Sequence, residues 1–184
     1  TWTAYETGSN GFNQAVALGN MFKQKHGTDL RILPAGNDVA RLGPLKAGRA
    51  QGSAMGIGTY FAQEGVLEFA VKDWGPQALQ LLLASSTCNG QALGTTKDSG
   101  VNVPADMKGK RVGLVLGSPA ITQSVLSFIA YAGLTPKDVK IVEFSSYGAM
   151  MKGVLNNEID TFFASTISGQ AKEIESSPRG IHWP

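Results

Sequence analysis

VGLVLGSPAITQSVLSFIAYAG, residues Val112 to Gly133, is the stretch that sets the fold class. Val112 to Leu116 reads as a buried strand. Val125, Phe128, Ile129 and Ala132 then recur at helical spacing along a helix from Pro119 to Ala132. Ser118 and Pro119 are the favoured N-cap and first-turn residues, and Gly133 stops the helix. The same construction occurs earlier, in TAYETGSNGFNQAVALGNMFKQKHG, Thr3 to Gly27. There an extended Thr3–Tyr5 leads through Gly8-Ser9 into a helix from Phe12 to His26. Its stripe is Phe12, Ala15, Val16, Gly19 and Phe22, with Lys23 and Lys25 in the last turn and Gly27 beyond. A glycine between strand and helix lets the backbone approach a ligand, and the positive end of the following helix attracts an anion. Two such turns predict two lobes, each presenting a helix N-terminus to a shared cleft.

The alternation continues along the chain. Strands are expected at Asp29–Pro34, Ser53–Ile57, Lys140–Phe144 and Ile159–Phe163. Helices are expected near Val39–Ala47, Thr59–Gln63, Tyr147–Asn156 and Ser168–Ser176. Asn37 or Asp38 caps the first of these helices, and Pro44 should kink or delay it. Residues 66–76 read as irregular or helical, Ala78–Ser85 as a strongly apolar run, Cys88–Thr95 as more polar, and Lys97–Asn102 as a loop. The lobe boundary falls at about 86–90, giving a first lobe of 1–86 and a second of 87–184. Gly180–Trp183 begins one more strand with no partner, which implies a longer natural protein. The pattern as a whole is that of a mostly parallel α/β protein.

Composition narrows the function. The 184 residues are 42% hydrophobic and 16% charged, and the 23 glycines fit a chain rich in tight strand-to-helix turns. The net charge of +2 is spread along the chain, so neither a nucleic-acid stripe nor a polybasic membrane patch is present. No apolar run approaches the roughly 20 residues that span a bilayer. The chain starts without Met and inside an apparent strand, which reads as a mature or trimmed N-terminus. Cys88 is the sole cysteine, so there is no internal disulfide and no thiolate zinc site.

No catalytic signature emerges. His26 sits at a helix end and His182 near the terminus, so a Ser-His-carboxylate triad lacks material and neither histidine has a second ligand at metal-binding spacing. Gly56-Ile57-Gly58 lacks the third glycine of a dinucleotide fingerprint, and no Gly-Lys-Ser/Thr phosphate loop exists. Asp160, at a strand start, is expected to bond at the sheet edge rather than to act as an acid or base. No catalytic residue, metal or cofactor is therefore expected, and the chemistry is that of binding. The candidate ligand residues lie where strands end and helices begin. They are Thr7, Gly8, Ser9, Asn10, Gly11, Phe12, Asn37, Thr59 and Tyr60 in the first lobe, and Gly117, Ser118, Ser145, Tyr147 and Ser165 in the second. Hydroxyls and amides there suit a small polar ligand, with Phe12 or Tyr60 as an aromatic wall. Arg41 is the charged candidate for a bidentate pair with a ligand carboxylate, or else faces solvent.

These residues also carry a family resemblance. Thr7-Gly8-Ser9-Asn10-Gly11-Phe12 resembles the Gly-Thr-Gly-Gly opening of the TAXI solute receptors of TRAP (tripartite ATP-independent periplasmic) transporters, with Ser9-Asn10 in place of Thr-Gly. Ala50 to Gly65 is similar to that family's strand and Ala-x-x-Gly helix. Asp106-Met107-Lys108-Gly109-Lys110-Arg111-Val112, followed by Gly117-Ser118, resembles the Asp-Leu-Lys-Gly-Lys-Arg-Val segment that opens the second lobe of type II periplasmic binding proteins generally. Tyr147 to Phe163 is similar to the helix, x-x-Gly-x-Ile-Asp-Ala, strand pattern, with Asn157 where Gly is usual. The resemblance implies an α/β, type II periplasmic-binding-protein fold: two α/β lobes joined by a hinge, here with the C-terminal part missing. It implies a monomeric periplasmic protein, its signal peptide removed, that closes on an amino acid, dicarboxylate or other small organic anion. The ligand is then delivered to TRAP membrane subunits, with no nucleic-acid partner. A receptor of an ABC-type importer for a thiamine precursor or sulfonate is the alternative, then the effector domain of a transcription regulator. A porphobilinogen deaminase-like enzyme would need Cys88 to carry a cofactor.

Overall fold

The computed structural model describes residues 1–84 and 90–184. Residues 86–89 of the boundary read from the sequence, Cys88 among them, lie outside the described residues. Contacts divide the chain into two units, Thr1–Cys88 with Gly117–Ala120, and Asn89–Leu116 with Ile121–Pro184.

The first unit is a three-stranded parallel sheet of order β2-β1-β3. Its elements are β1 (Trp2–Ala4), α1 (Asn10–His26), β2 (Ile32–Pro34), α2 (Asp38–Lys46), β3 (Gly52–Ser53) and α3 (Gly58–Glu64). Trp2 lies opposite both Ile32 and Gly52, so the three strands run in step and their carboxyl ends share one edge. Parallel pairing forces a crossover after each strand, and α1 and α2 supply it. The strands are shorter than the sequence implies: Asp29–Pro34 becomes Ile32–Pro34, and Ser53–Ile57 becomes Gly52–Ser53. Gly52 is required, because a Cβ there would lie 2.6 Å from the Trp2 indole nitrogen. Helix α2 runs through Pro44 and closes at Lys46, where the missing Pro N–H removes only one late bond. Val16, expected in the α1 stripe, is exposed. The core is small: Leu42, Ala62 and Phe69, with Val39, Leu45, Met55, Phe61, Trp74 and Leu79 around them. Residues 75–84 carry no regular structure, and the leucines of the apolar run, Leu81 to Leu83, are exposed.

The second unit has a four-stranded sheet of order β4-β7-β5-β6. Its elements are β4 (Gln91–Thr95), β5 (Arg111–Val115), α4 (Pro119–Tyr131), β6 (Lys140–Phe144), α5 (Tyr147–Leu155), β7 (Thr161–Ser165) and α6 (Gly169–Glu175). β5 pairs in parallel with β6 and β7, whereas β4 runs antiparallel to β7. This last pairing corrects the expectation of a polar stretch at 88–95. Gly94 depresses the strand signal, yet it is there because a Cβ would meet the Phe162 ring at 2.7 Å. The terminal segment forms a single antiparallel bridge, His182 with Thr95, not an unpaired strand. The core gathers Met107, Val112, Val115, Val125, Ile129, Met150, Val154, Ile159, Phe162 and Ile174. Asn157, where glycine was noted as usual, adopts φ 60°.

Candidate functional site

In the first unit the turn after β1 begins with Gly8 in the left-handed region, φ 87°. Ser9 then caps α1, its hydroxyl oxygen accepting from the Phe12 N–H at 3.2 Å. The cap occupies the third N–H of the helix. The Asn10 and Gly11 N–H groups stand in the first turn, where no intrahelical acceptor exists. Both are half-buried and belong to the turn that the sequence singled out. Thr7 is exposed and Phe12 half-buried. α1 has no acidic residue in its first turn, so its positive end is not neutralised from within the helix.

Beneath this turn lies a cluster that the sequence reading missed. Arg41 is 3% exposed and forms an ion pair with Asp38, a residue one helical turn before it. Its other donors go to the Ala35 carbonyl at 3.1 Å and to Met55 Sδ at 3.1 Å, and its guanidinium lies 3.9 Å from the centre of the Tyr5 ring. Of the two expectations for Arg41, the solvent-facing one does not hold: the side chain is buried and its charge is balanced by Asp38. The i, i+3 spacing of Asp38 and Arg41 was the available signal. Burial pushes the Tyr5 phenol up from its ordinary value, while Arg41 pulls it down.

Asn37 caps α2, accepting from the Ala40 N–H at 2.8 Å. In the same unit, the Gly117 carbonyl accepts from the Val39 N–H at 3.1 Å, and Asp38 accepts from the Ala120 N–H at 3.0 Å. Gly117 has φ 70° and approaches the Asn37 side chain. Ser118 is 1% exposed, and its hydroxyl has no hydrogen-bond partner among the described residues. Thr59 is half-buried, and Tyr60 is exposed with its ring against Phe61.

In the second unit, β5, β6 and β7 all end on one edge, which brings Ser145, Tyr147 and Ser165 to that edge. Ser145 is exposed, Tyr147 and Ser165 are half-buried, and Ser146 caps α5 by accepting from the Ala149 N–H at 3.1 Å. Asp160 is tied down structurally: it accepts from the Arg111 backbone N–H at 2.9 Å, from Arg111 Nε at 3.0 Å and from Arg111 Nη2 at 2.5 Å. Burial raises its pKa, but the Arg111 bonds outweigh burial and hold the carboxyl below its ordinary value. His26 is exposed at the end of α1, and His182 pairs with Thr95. Among the described residues no group of acids, histidines and cysteine could hold a metal ion, and no helix is long and apolar enough to cross a membrane.

The profile of the NMT1/THI5-like family matches residues 16–180. A comparison with curated proteins gives no match. Solved structures align over nearly the whole chain at low identity. An ancestral arginine-binding protein bound to arginine aligns with TM-score 0.63 and 19% identity, covering 99% of this chain and 78% of its own. The periplasmic aliphatic sulphonate binding protein SsuA from Escherichia coli aligns with TM-score 0.60 and 16% identity, covering 98% of this chain and 58% of its own. An amino acid ABC transporter substrate-binding protein, AbpA from Streptococcus pneumoniae, bound to L-arginine, aligns with TM-score 0.57 and 13% identity, covering 97% and 73%. The chain thus spans little over half of the sulphonate-binding protein and about three quarters of the other two. These neighbours are binding proteins, not enzymes, and share the fold expected from the sequence. The chain belongs to the NMT1/THI5-like family and has the α/β fold of the type II periplasmic solute-binding proteins.

Proposed function

We propose that the chain is a periplasmic solute-binding protein that captures a small organic anion and passes it to a membrane importer, without catalysis. The observation that carries this reading is the N-terminus of α1. It stands at the carboxyl edge of a parallel sheet, with first-turn N–H groups that the Ser9 cap does not occupy and no acidic residue in that turn. Such an end favours an acid group by charge and by hydrogen bonding. Arg41 contributes no net charge because Asp38 balances it, so recognition falls to backbone N–H groups, amides and hydroxyls. The site would comprise the Thr7 to Phe12 turn, Asn37, Thr59 and Tyr60. Gly117-Ser118, which belongs to the first unit, would complete it there, and Ser145, Tyr147 and Ser165 are the second unit's candidates.

For the importer, the family match and the solved neighbours favour an ABC-type system taking a sulfonate, an amino acid or a thiamine precursor. The Thr7 to Phe12 opening and the Ala50 to Gly65 segment carry a second reading, a TAXI receptor serving a TRAP transporter. Calorimetry with alkanesulfonates, dicarboxylates, amino acids and an aminopyrimidine separates these. Saturable binding of one anion supports the reading, an aminopyrimidine hit points to a thiamine-precursor receptor, and no heat with any of them counts against it.

A further inference from the structure

We infer that Tyr5 is a positioning residue that couples the turn at 7–12 to the turn at 54–58, so that the two keep one geometry for a ligand. The inference rests on the binding reading above, and every residue it uses lies in the first unit. Tyr5 directly follows β1, and four features converge on it. On one side its ring abuts Gly11, where a Cβ would collide with Tyr5 Cδ2. Over its face lies the Arg41 guanidinium, 3.9 Å from the ring centre. At its far end the hydroxyl oxygen lies against Gly56, where a Cβ would stand 3.0 Å from it. Finally, the Asp38 carboxylate that holds Arg41 backs onto Gly58, where a Cβ would lie 2.9 Å from Asp38 Oδ2.

Gly11, Gly56 and Gly58 are therefore glycines for an internal reason. Each lets the backbone close onto Tyr5 or Asp38, whereas Gly8 in the first turn is required by its own left-handed φ. One turn begins α1 and the other precedes α3. A shift of the phenol moves the contacts at Gly11 and at Gly56 together. Such a shared and charge-compensated support holds a binding turn in place before ligand arrives, and preorganisation of that kind raises affinity by lowering the cost of ordering.

The test is Tyr5→Phe, which keeps the ring against Gly11 and under Arg41 but removes the hydroxyl that stands against Gly56. Residue-resolved amide exchange of the ligand-free chain is the first arm. The expected result is exchange about tenfold faster at 56–60 and also faster at 8–12, with β5 and α5 unchanged and the urea midpoint of the second unit unmoved. Faster exchange at 56–60 alone would overturn the coupling, as would no change at either turn. Calorimetry with the alkanesulfonate, L-glutamate and L-arginine is the second arm. If the wild type binds one of these, Tyr5→Phe should weaken it about tenfold at unchanged global stability, an outcome that a merely structural role would not give. Equal affinity in the two proteins would overturn the positioning role. Should the wild type bind none of the three, the binding reading fails on that arm, while the exchange arm still decides the coupling. Tyr5→Leu is the control that removes ring and hydroxyl together, and it must loosen both turns at least as much as Tyr5→Phe.

Discussion

The two units build the same kind of sheet edge with different means. The second has, among the described residues, an apolar core of nineteen buried residues, running from Leu93 to Ile181. Among the described residues the first buries three in its own cluster, and beside them it buries an ion pair against a half-buried phenol. A core of aliphatic and aromatic side chains holds a unit together through area removed from water and through close packing. A buried ion pair adds little net stability but penalises every arrangement that separates its partners. The second unit is thus the scaffold. In the first, part of the packing has been exchanged for a polar assembly that fixes the geometry of the turns at its edge.

That contrast can be broken at its strongest point first. Phe162 is fully buried in the second unit, between β4 and the rest of its core. Phe162→Ala should cost about 3–5 kcal/mol, read as a lower urea midpoint and general loss of exchange protection in β4, β5 and β7. Asp38→Ala leaves Arg41 buried and unpaired, and should cost about 3–5 kcal/mol, with the loss of protection centred on α2 and the turns at 5–12 and 54–58. If Asp38→Ala proves neutral, the assembly is not what holds the first unit.

Asp160 sharpens the comparison through pH. Its carboxyl is depressed in the folded state, so its contribution is present above its unfolded value near 3.9 and is lost as pH falls through the folded value. Urea midpoints of the wild type should therefore drop below about pH 4, and Asp160→Asn should flatten that part of the slope. The smallest change expected is Ser9→Ala, at about 1 kcal/mol, confined to the start of α1 because only the cap bond to Phe12 is lost.

Much of this architecture was legible in the residues. Lys140–Phe144 reads as a strand with the bounds it has, the cap of α2 reads as Asn37 or Asp38 and is Asn37, and Ser118-Pro119 marks the start of α4. These features are local: an apolar run, a short polar side chain, a proline with no N–H to lose. β4 was not legible because its glycine answers a distant demand, the Phe162 ring. The shortness of β3 has a similar origin, since Gly52 makes room for Trp2. In the candidate site the chain order showed which residues end strands and begin helices. It did not show that Arg41 would turn inward, because the pair with Asp38 and the stacking on Tyr5 depend on three segments meeting. Gly11, read as part of a ligand turn, also makes room for Tyr5, and Gly56 and Gly58, read only as an incomplete dinucleotide fingerprint, make room for Tyr5 and Asp38.

The central claim is that an organic anion binds at the N-terminus of α1. Amide chemical shifts followed while an alkanesulfonate or a dicarboxylate is titrated into the chain test it directly. The account predicts saturable shifts that are largest at the Asn10 and Gly11 amides and extend to Thr59 and Tyr60. Saturable binding that leaves Asn10 and Gly11 unmoved, with shifts confined elsewhere, would contradict it.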